Sequence, residues 1–354
     1  MKPLLQKLIF SITLGLSPWL QAAEPLAIQA DIEALKLQKM AGILVQQHNQ
    51  LLYEQYFNGS SARALHDIRS ASKSVTSLLF GMALQQQLFT SEQDLVLPVF
   101  ADYQPLLFAT KAKTAMTFFQ LLSMTNPLEC NDWTEYSAGN EERMYLQADW
   151  LSFVLNLPER GHAPWEKAPA DQPYGRDFAY CTAGVFLTGA AIERKTKMKL
   201  SDYAQQQLFT PLGIHEVSWP YSPKGLTQGG GGLKIKAPDL LKIGQLMLNK
   251  GQWQGKSLVS ADWLQKSFTP YSEAMSEMHA DYGLTWWIFS YPINGKTIKA
   301  YAAAGNGGNY LFVIPAYNAT VVTTSSAYNT HYMHRQIHQL MQTVILPALS
   351  ARSV

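Results

Sequence analysis

Ser70-Ala71-Ser72-Lys73 sets a hydroxyl and an amine three residues apart where a helical pattern begins. Residues i and i+3 share a helix face, so the lysine comes within reach of the serine hydroxyl. A serine in the first helical turn also has an unpaired backbone N–H directed at the group its side chain would attack. A desolvated lysine can take the serine proton, and the pair then acts as an acyl-transfer nucleophile. The tetrad alone is a weak signal, because ordinary serine and lysine usage gives about one chance match in a chain this long. A serine N-cap beside a solvated lysine is the competing reading.

Other constellations carry less chemistry. Gly251 to Ser257 (GQWQGKS) has the look of a phosphate loop but is one residue short between its glycines and follows a helical pattern. His331, His334 and His338 share one helical face with no carboxylate to complete a ligand set, so no metal site is expected and the stripe reads as solvated or partner-facing. Gly305, Gly307 and Gly308 lack the third glycine and the strand-to-helix setting of a dinucleotide fingerprint. The chain has no G-x-S-x-G elbow.

The elements that must position this chemistry come from both ends of the sequence. Ala41 to Gln47 and Leu51 to Phe57 read as strands joined through His48-Asn49-Gln50. From Ser72 to about Leu88, Val75, Leu78, Leu79, Met82 and Leu84 have the spacing of one buried helix face. Helical periodicity recurs at 117–124, 183–195, 200–208, 238–249 and 261–267. Strand patterns return at 285–290, 297–302, 310–314 and 320–324, and a last helix covers 331–346. The expected fold is α/β (α+β), an antiparallel sheet assembled from both chain ends with a mostly helical insertion. The sheet part spans about 28–72 and 280–350 and the helical part about 73–279.

Of 354 residues, 47% are hydrophobic and 15% charged, which excludes a disordered polypeptide. Residues 1–23 carry a basic start, a short apolar run and a small-residue ending, the pattern of a secretory signal peptide cleaved near Ala22 or Ala23. Lys2 and Lys7 are two of the 28 basic residues, so the remaining 26 balance the 26 acidic ones. A neutral mature chain without a second long apolar run is expected to be exported, periplasmic or secreted, with no membrane anchor and no nucleic-acid partner.

Several segments together resemble the serine hydrolases related to class C β-lactamases and penicillin-binding proteins. SASKSVTSLLFGMAL is similar to their nucleophile helix, and LLSMTNPL, YCTAGVFLTGAAIE, LFTPLGI, the GGGGLKIKAPDLLKIG block, YGLTWW and AAAGNGGNYLFVIP follow in the family's order. The resemblance covers roughly Met40 to Leu346. It implies Ser70 as nucleophile, Lys73 as its base partner, and Tyr180 as the phenol of the Tyr-x-Asn element, where Thr182 replaces the Asn. It implies Gly305 and Asn306 at the third element, with an N–H near Asn306 completing an oxyanion hole. That element carries no basic residue here, so an ester or amide substrate is expected rather than a β-lactam. The CNDWTEYSAGNE segment is similar to the esterase and 6-aminohexanoate-dimer hydrolase branch, in which a loop tyrosine closes over the bound amide. Tyr136 is its nearest match, and Trp133, Trp286 and Trp287 are candidates for an apolar acyl site. No cofactor is implied.

Cys130 and Cys181 are the only cysteines and lie in two of the matched segments. An even count in an exported protein invites a disulfide, with two buried thiols as the alternative. Two other functions remain open: a penicillin-recognising β-lactamase or DD-peptidase, and a non-catalytic peptidoglycan- or partner-binding protein.

Overall fold

The computed structural model describes residues 24–161, 177–275 and 280–352. The export segment read at 1–23 lies outside them. β1 (Met40–Gln47) and β2 (Gln50–Tyr56) form the expected hairpin. His48 and Asn49 at its turn have φ of 49° and 63°, the left-handed pair that a tight two-residue hairpin requires. β3 (Leu65–Asp67) pairs with β4 (Lys234–Lys236). β5 (Gln252–Trp253) and β6 (Lys256–Ser257) turn the phosphate-loop look-alike into a minimal hairpin.

The remaining strands are β7 (Ser272–Met275), β8 (Ala280–Tyr282), β9 (Trp287–Ile293), β10 (Lys296–Gly305), β11 (Asn309–Ile314) and β12 (Ala319–Ser325). With β1 and β2 they make one antiparallel sheet in the order β2-β1-β12-β11-β10-β9-β8-β7. The sheet is therefore closed by β1 against β12, with Gly42 opposite Thr324 and Val45 opposite Val321.

Every residue of β11 and β12 is buried, so helices cover both faces of the central sheet. Alternation along β11 separates the two layers. Leu311 faces the Ala237–Leu248 helix, which approaches so closely that a Cβ on Gly244 would lie 2.8 Å from the Leu311 side chain. Tyr310 and Phe312 face the other way, towards His338 in the C-terminal helix. That helix starts at Arg335, later than its periodicity suggests, passes through a π turn at Met341–Ile345 and ends at Arg352.

The Ser72–Gln85 helix departs from its sequence pattern. One buried face is expected, but every residue from Ser72 to Ala83 is buried, because the helix lies between the sheet and the helical part. Its hydroxyls meet that burial by donating to backbone carbonyls: Ser74 to Thr285 at 2.6 Å, Thr76 to Gly229 at 2.6 Å and Ser77 to Leu284 at 3.0 Å. The neighbouring Thr182–Thr196 helix packs against it.

Cys130 and Cys181 are joined in a disulfide across 51 residues. The bridge fastens the 129–141 loop to the turn that carries Tyr180. Replacing both cysteines by serine is expected to lower the free energy of urea unfolding by about 4 kcal/mol, the loop-closure value for a span of this length. An unchanged unfolding curve would show that the bridge contributes nothing to stability.

Candidate active site

Ser70 occupies a 3₁₀ turn, Arg69–Ala71, that feeds the Ser72–Gln85 helix. Arg69 before it has φ of 51°, a conformation that costs a non-glycine residue about 1–3 kcal/mol and needs support. Its N–H donates to Asp67 Oδ1 at 2.9 Å, and its guanidinium lies 3.3 Å from the same carboxylate and over the Tyr328 ring. Ser72 Oγ donates to the Arg69 carbonyl and accepts from the Leu233 N–H.

The end of β10 presses against this turn. A Cβ on Gly305 would lie 2.0 Å from the Ile68 carbonyl oxygen and 3.1 Å from the Ala71 nitrogen, so only glycine fits. Asn306 follows at the rim, its side chain exchanging hydrogen bonds with Asn329. Among the described residues the N–H groups of Ser70 and Asn306 have no hydrogen-bond acceptor. Two free donors beside a serine hydroxyl can receive a developing oxyanion.

Lys73 is 1% exposed. Its Nζ donates to Ser70 Oγ at 2.8 Å and to the Gly230 carbonyl at 2.7 Å, and lies 4.9 Å from the centre of the Tyr180 ring. Burial pushes the Tyr180 phenol above its ordinary range, while the Lys73 charge and the Ser70 hydroxyl pull it back. The three residues expected to act together are thus brought together.

Thr182 is fully buried and lines neither cavity. Its methyl packs on Gly230, where a Cβ would approach to 2.7 Å, and its N–H donates to Asp132 Oδ2 at 2.7 Å. Asp132 is the group that sequence reasoning missed. Its other oxygen accepts from the Glu141 N–H at 2.9 Å, and its own N–H donates to the Tyr180 carbonyl. The carboxylate therefore holds two helix starts, and the backbone of the same residue holds the Tyr180 turn. Burial and the nearby Glu141 charge raise its pKa to about 6 against the opposing pull of Lys73. From Glu141 a chain continues through the Tyr145 hydroxyl and the Gln228 amide to the N–H of Gly230, the residue whose carbonyl holds Lys73. Nothing in the local sequence marks Asp132, because its role depends on which loops meet.

Ser70 opens on two cavities. One, of about 290 Å3, is walled by Trp133, Tyr180, Trp287, Phe289 and Tyr310, with Gly305 and Asn306 at its edge. Trp133 stacks on Tyr180 with ring centres 5.7 Å apart. The other, of about 500 Å3, is polar and includes Arg69, Lys234, Asp67, Glu141 and Glu142. The basic group absent from the third element is thus supplied in part by other segments, though acids outnumber bases there.

Two expected wall residues lie elsewhere. Tyr136 is 92% exposed and outside both cavities, in a loop that Ser137 Oγ ties back to Asn131 and Glu129, and it is the half-exposed Trp133 that lies over Tyr180 instead. Trp286 is fully buried and borders a small space beneath Ala71, Ser74 and Ala303. Thr285, with φ of 65°, delays the strand, and alternation then gives the cavity to Trp287. The histidine stripe also needs correction. His331 is exposed, but His334 and His338 line the aromatic cavity and are held by tyrosine hydroxyls rather than by solvent.

Comparison with known proteins agrees with this architecture. The chain is 23% identical over 292 residues to the 6-aminohexanoate-dimer hydrolase of Paenarthrobacter ureafaciens, covering 80% of this chain and 71% of that one. A solved protein of Bacillus anthracis assigned as a 6-aminohexanoate-dimer hydrolase superposes with a TM-score of 0.72 at 19% identity, over 91% of this chain and 82% of its own. EstCE1, a hydrolase with promiscuous acyltransferase activity, superposes with a TM-score of 0.67 at 13% identity, over 87% and 98%. The profile of the Beta-lactamase family matches residues 32–344, and with the fold built around the Ser70 turn the chain belongs to that family as a serine hydrolase.

Proposed function

We propose that the chain hydrolyses an uncharged ester or linear amide through an acyl-enzyme on Ser70. The observation that carries this reading is the 2.8 Å contact between Lys73 Nζ and Ser70 Oγ where the two cavities meet. Lys73 Nζ takes the Ser70 proton as Oγ bonds to the substrate carbonyl carbon. The Gly230 carbonyl accepts an N–H from Nζ in either protonation state and keeps it in place. The carbonyl electrons move to oxygen, which the Ser70 and Asn306 N–H groups receive. Tyr180, held protonated by burial, gives its proton to the departing oxygen or nitrogen and regains one from Lys73. Water then attacks the acyl carbon, its proton passes to the same pair, and the proton returned to Ser70 Oγ completes the cycle.

The acidic groups around both cavities favour this substrate class over an anionic β-lactam. A pure binding protein has no use for a buried Lys73 aimed at a serine. Export is supported by the disulfide, which oxidising compartments sustain, and by the sequence pattern of residues 1–23.

Ser70→Ala is expected to abolish both turnover of short p-nitrophenyl esters and fluorophosphonate labelling with an unchanged circular dichroism spectrum. Labelling that persists would identify another nucleophile. In the native protein, the esters or a linear amide should be cleaved faster than a chromogenic cephalosporin; the reverse order favours the penicillin-recognising reading. Gly305→Ala should lower kcat about 100-fold with the fold intact, since a Cβ forces the strand off the Ser70 turn.

Asp132 supplies a pH test. Its folded pKa of about 6 exceeds the ordinary 3.8, so the native state holds this proton more tightly than the unfolded chain. The stability that the proton contributes is full below pH 4 and is lost as pH rises to about 6. Asp132→Asn should lower stability overall yet flatten its slope between pH 4 and 6 in urea titrations. An unaltered slope would assign that pH dependence to other groups.

A further inference from the structure

The far wall of the aromatic cavity contains a chain of alternating phenols and imidazoles. Tyr291 Oη lies 2.6 Å from His338 Nδ1, Tyr310 Oη lies 3.4 Å from His338 Nε2, and Tyr310 Oη lies 2.6 Å from His334 Nδ1. Burial lowers the pKa of His334 to about 4 and of His338 to about 3, and raises both phenols. At neutral pH each ring therefore carries one N–H and one lone pair, and each phenol one O–H.

Those four protons can fill the three contacts in only three arrangements, and where both imidazoles donate to Tyr310 the buried Tyr310 O–H has no acceptor among the described residues. If His338 Nδ1–H donated to Tyr291, the buried Tyr291 O–H would have no acceptor among the described residues, which disfavours that direction. In the opposite direction every buried proton is used. Tyr291 O–H donates to His338 Nδ1, His338 Nε2–H to Tyr310, and Tyr310 O–H to His334 Nδ1. The one donor left over is His334 Nε2–H, which has no partner among the described residues, on a ring that lines the cavity with Ser70.

We infer that His334 Nε2–H is a recognition donor for an uncharged acceptor oxygen on the substrate, an ether, hydroxyl or second carbonyl separate from the bond that Ser70 attacks. The buried tyrosine–histidine chain fixes its direction, so the wall offers a donor and not a lone pair. That donor distinguishes an oxygenated chain from a hydrocarbon one. The inference rests on the Ser70 reading for its substrate and on the hydrogen-bond chain for its polarity.

Two measurements test it separately. In protein labelled with 15N-histidine, long-range 1H–15N spectra should show His334 and His338 both as Nε2–H tautomers. A His334 Nδ1–H tautomer overturns the inference whatever the enzyme does. Kinetically, p-nitrophenyl methoxyacetate is compared with p-nitrophenyl butyrate, and 2-methoxyethyl acetate with n-butyl acetate, each rate divided by that of hydroxide hydrolysis. Each pair exchanges one methylene for oxygen, in the acyl chain or in the alcohol. In native protein one pair should favour oxygen about tenfold in kcat/KM, and His334→Leu should bring that ratio to about one. The ratio cancels any general loss of activity. No oxygen preference in either pair, or a preference that survives His334→Leu, overturns the inference. Hydrolysis that persists in Ser70→Ala overturns the Ser70 reading and leaves the tautomer result standing.

Discussion

Burying one lysine amine without a contacting carboxylate is the constraint around which this site is built. Taken out of water, a polar head group of this kind needs close partners. Lys73 finds a serine hydroxyl, a backbone carbonyl and the face of a tyrosine ring. Each partner then needs support of its own. The Gly230 carbonyl can reach Nζ because no side chain separates that peptide from Thr182. Tyr180 is held by the disulfide at the next residue and by Asp132 through its backbone. Asp132 remains at a distance, where its charge acts on Lys73 without taking the proton-bearing contact away from Ser70.

What could be read from the chain follows from how local each feature is. The Ser70 and Lys73 pairing needs one helical turn, and the β1–β2 hairpin needs one left-handed turn, so both are legible in a few residues. Tyr180, Gly305 and Asn306 become legible only through a succession of ordered segments. Asp132 is not legible, since its partners, at 141 and 182, meet it only after the loops fold. The histidine spacing brings two of its three rings, His334 and His338, to one surface, while His331 lies exposed in the turn before the helix. Which surface that is depends on how the C-terminal helix crosses the sheet, and the crossing aims the two rings at Tyr310 and Phe289. Of the two adjacent candidates Trp286 and Trp287, only Trp287 lines the cavity, and the reason is smaller, a single left-handed residue at Thr285.

The two cavities divide the environment of one hydroxyl. The aromatic side offers ring faces with Asp132 and Glu141 among its lining, whereas the polar side offers charges of both signs. The buried Ser72–Gln85 helix gives this division a rigid floor, because its hydroxyls are already committed to carbonyls of the surrounding loops.

The pairing of β1 with β12 also orders events in time. A ribosome makes the hairpin of β1 and β2 almost at once, but the edge that β1 must join lies some 270 residues later in the sequence. Until β12 is available, that edge remains an unsatisfied template, open to pairing with a neighbouring chain. The native state is thus reached only after β12 has been made, so the interval before that strand emerges, more than the folded molecule, is when the chain is exposed to misassembly.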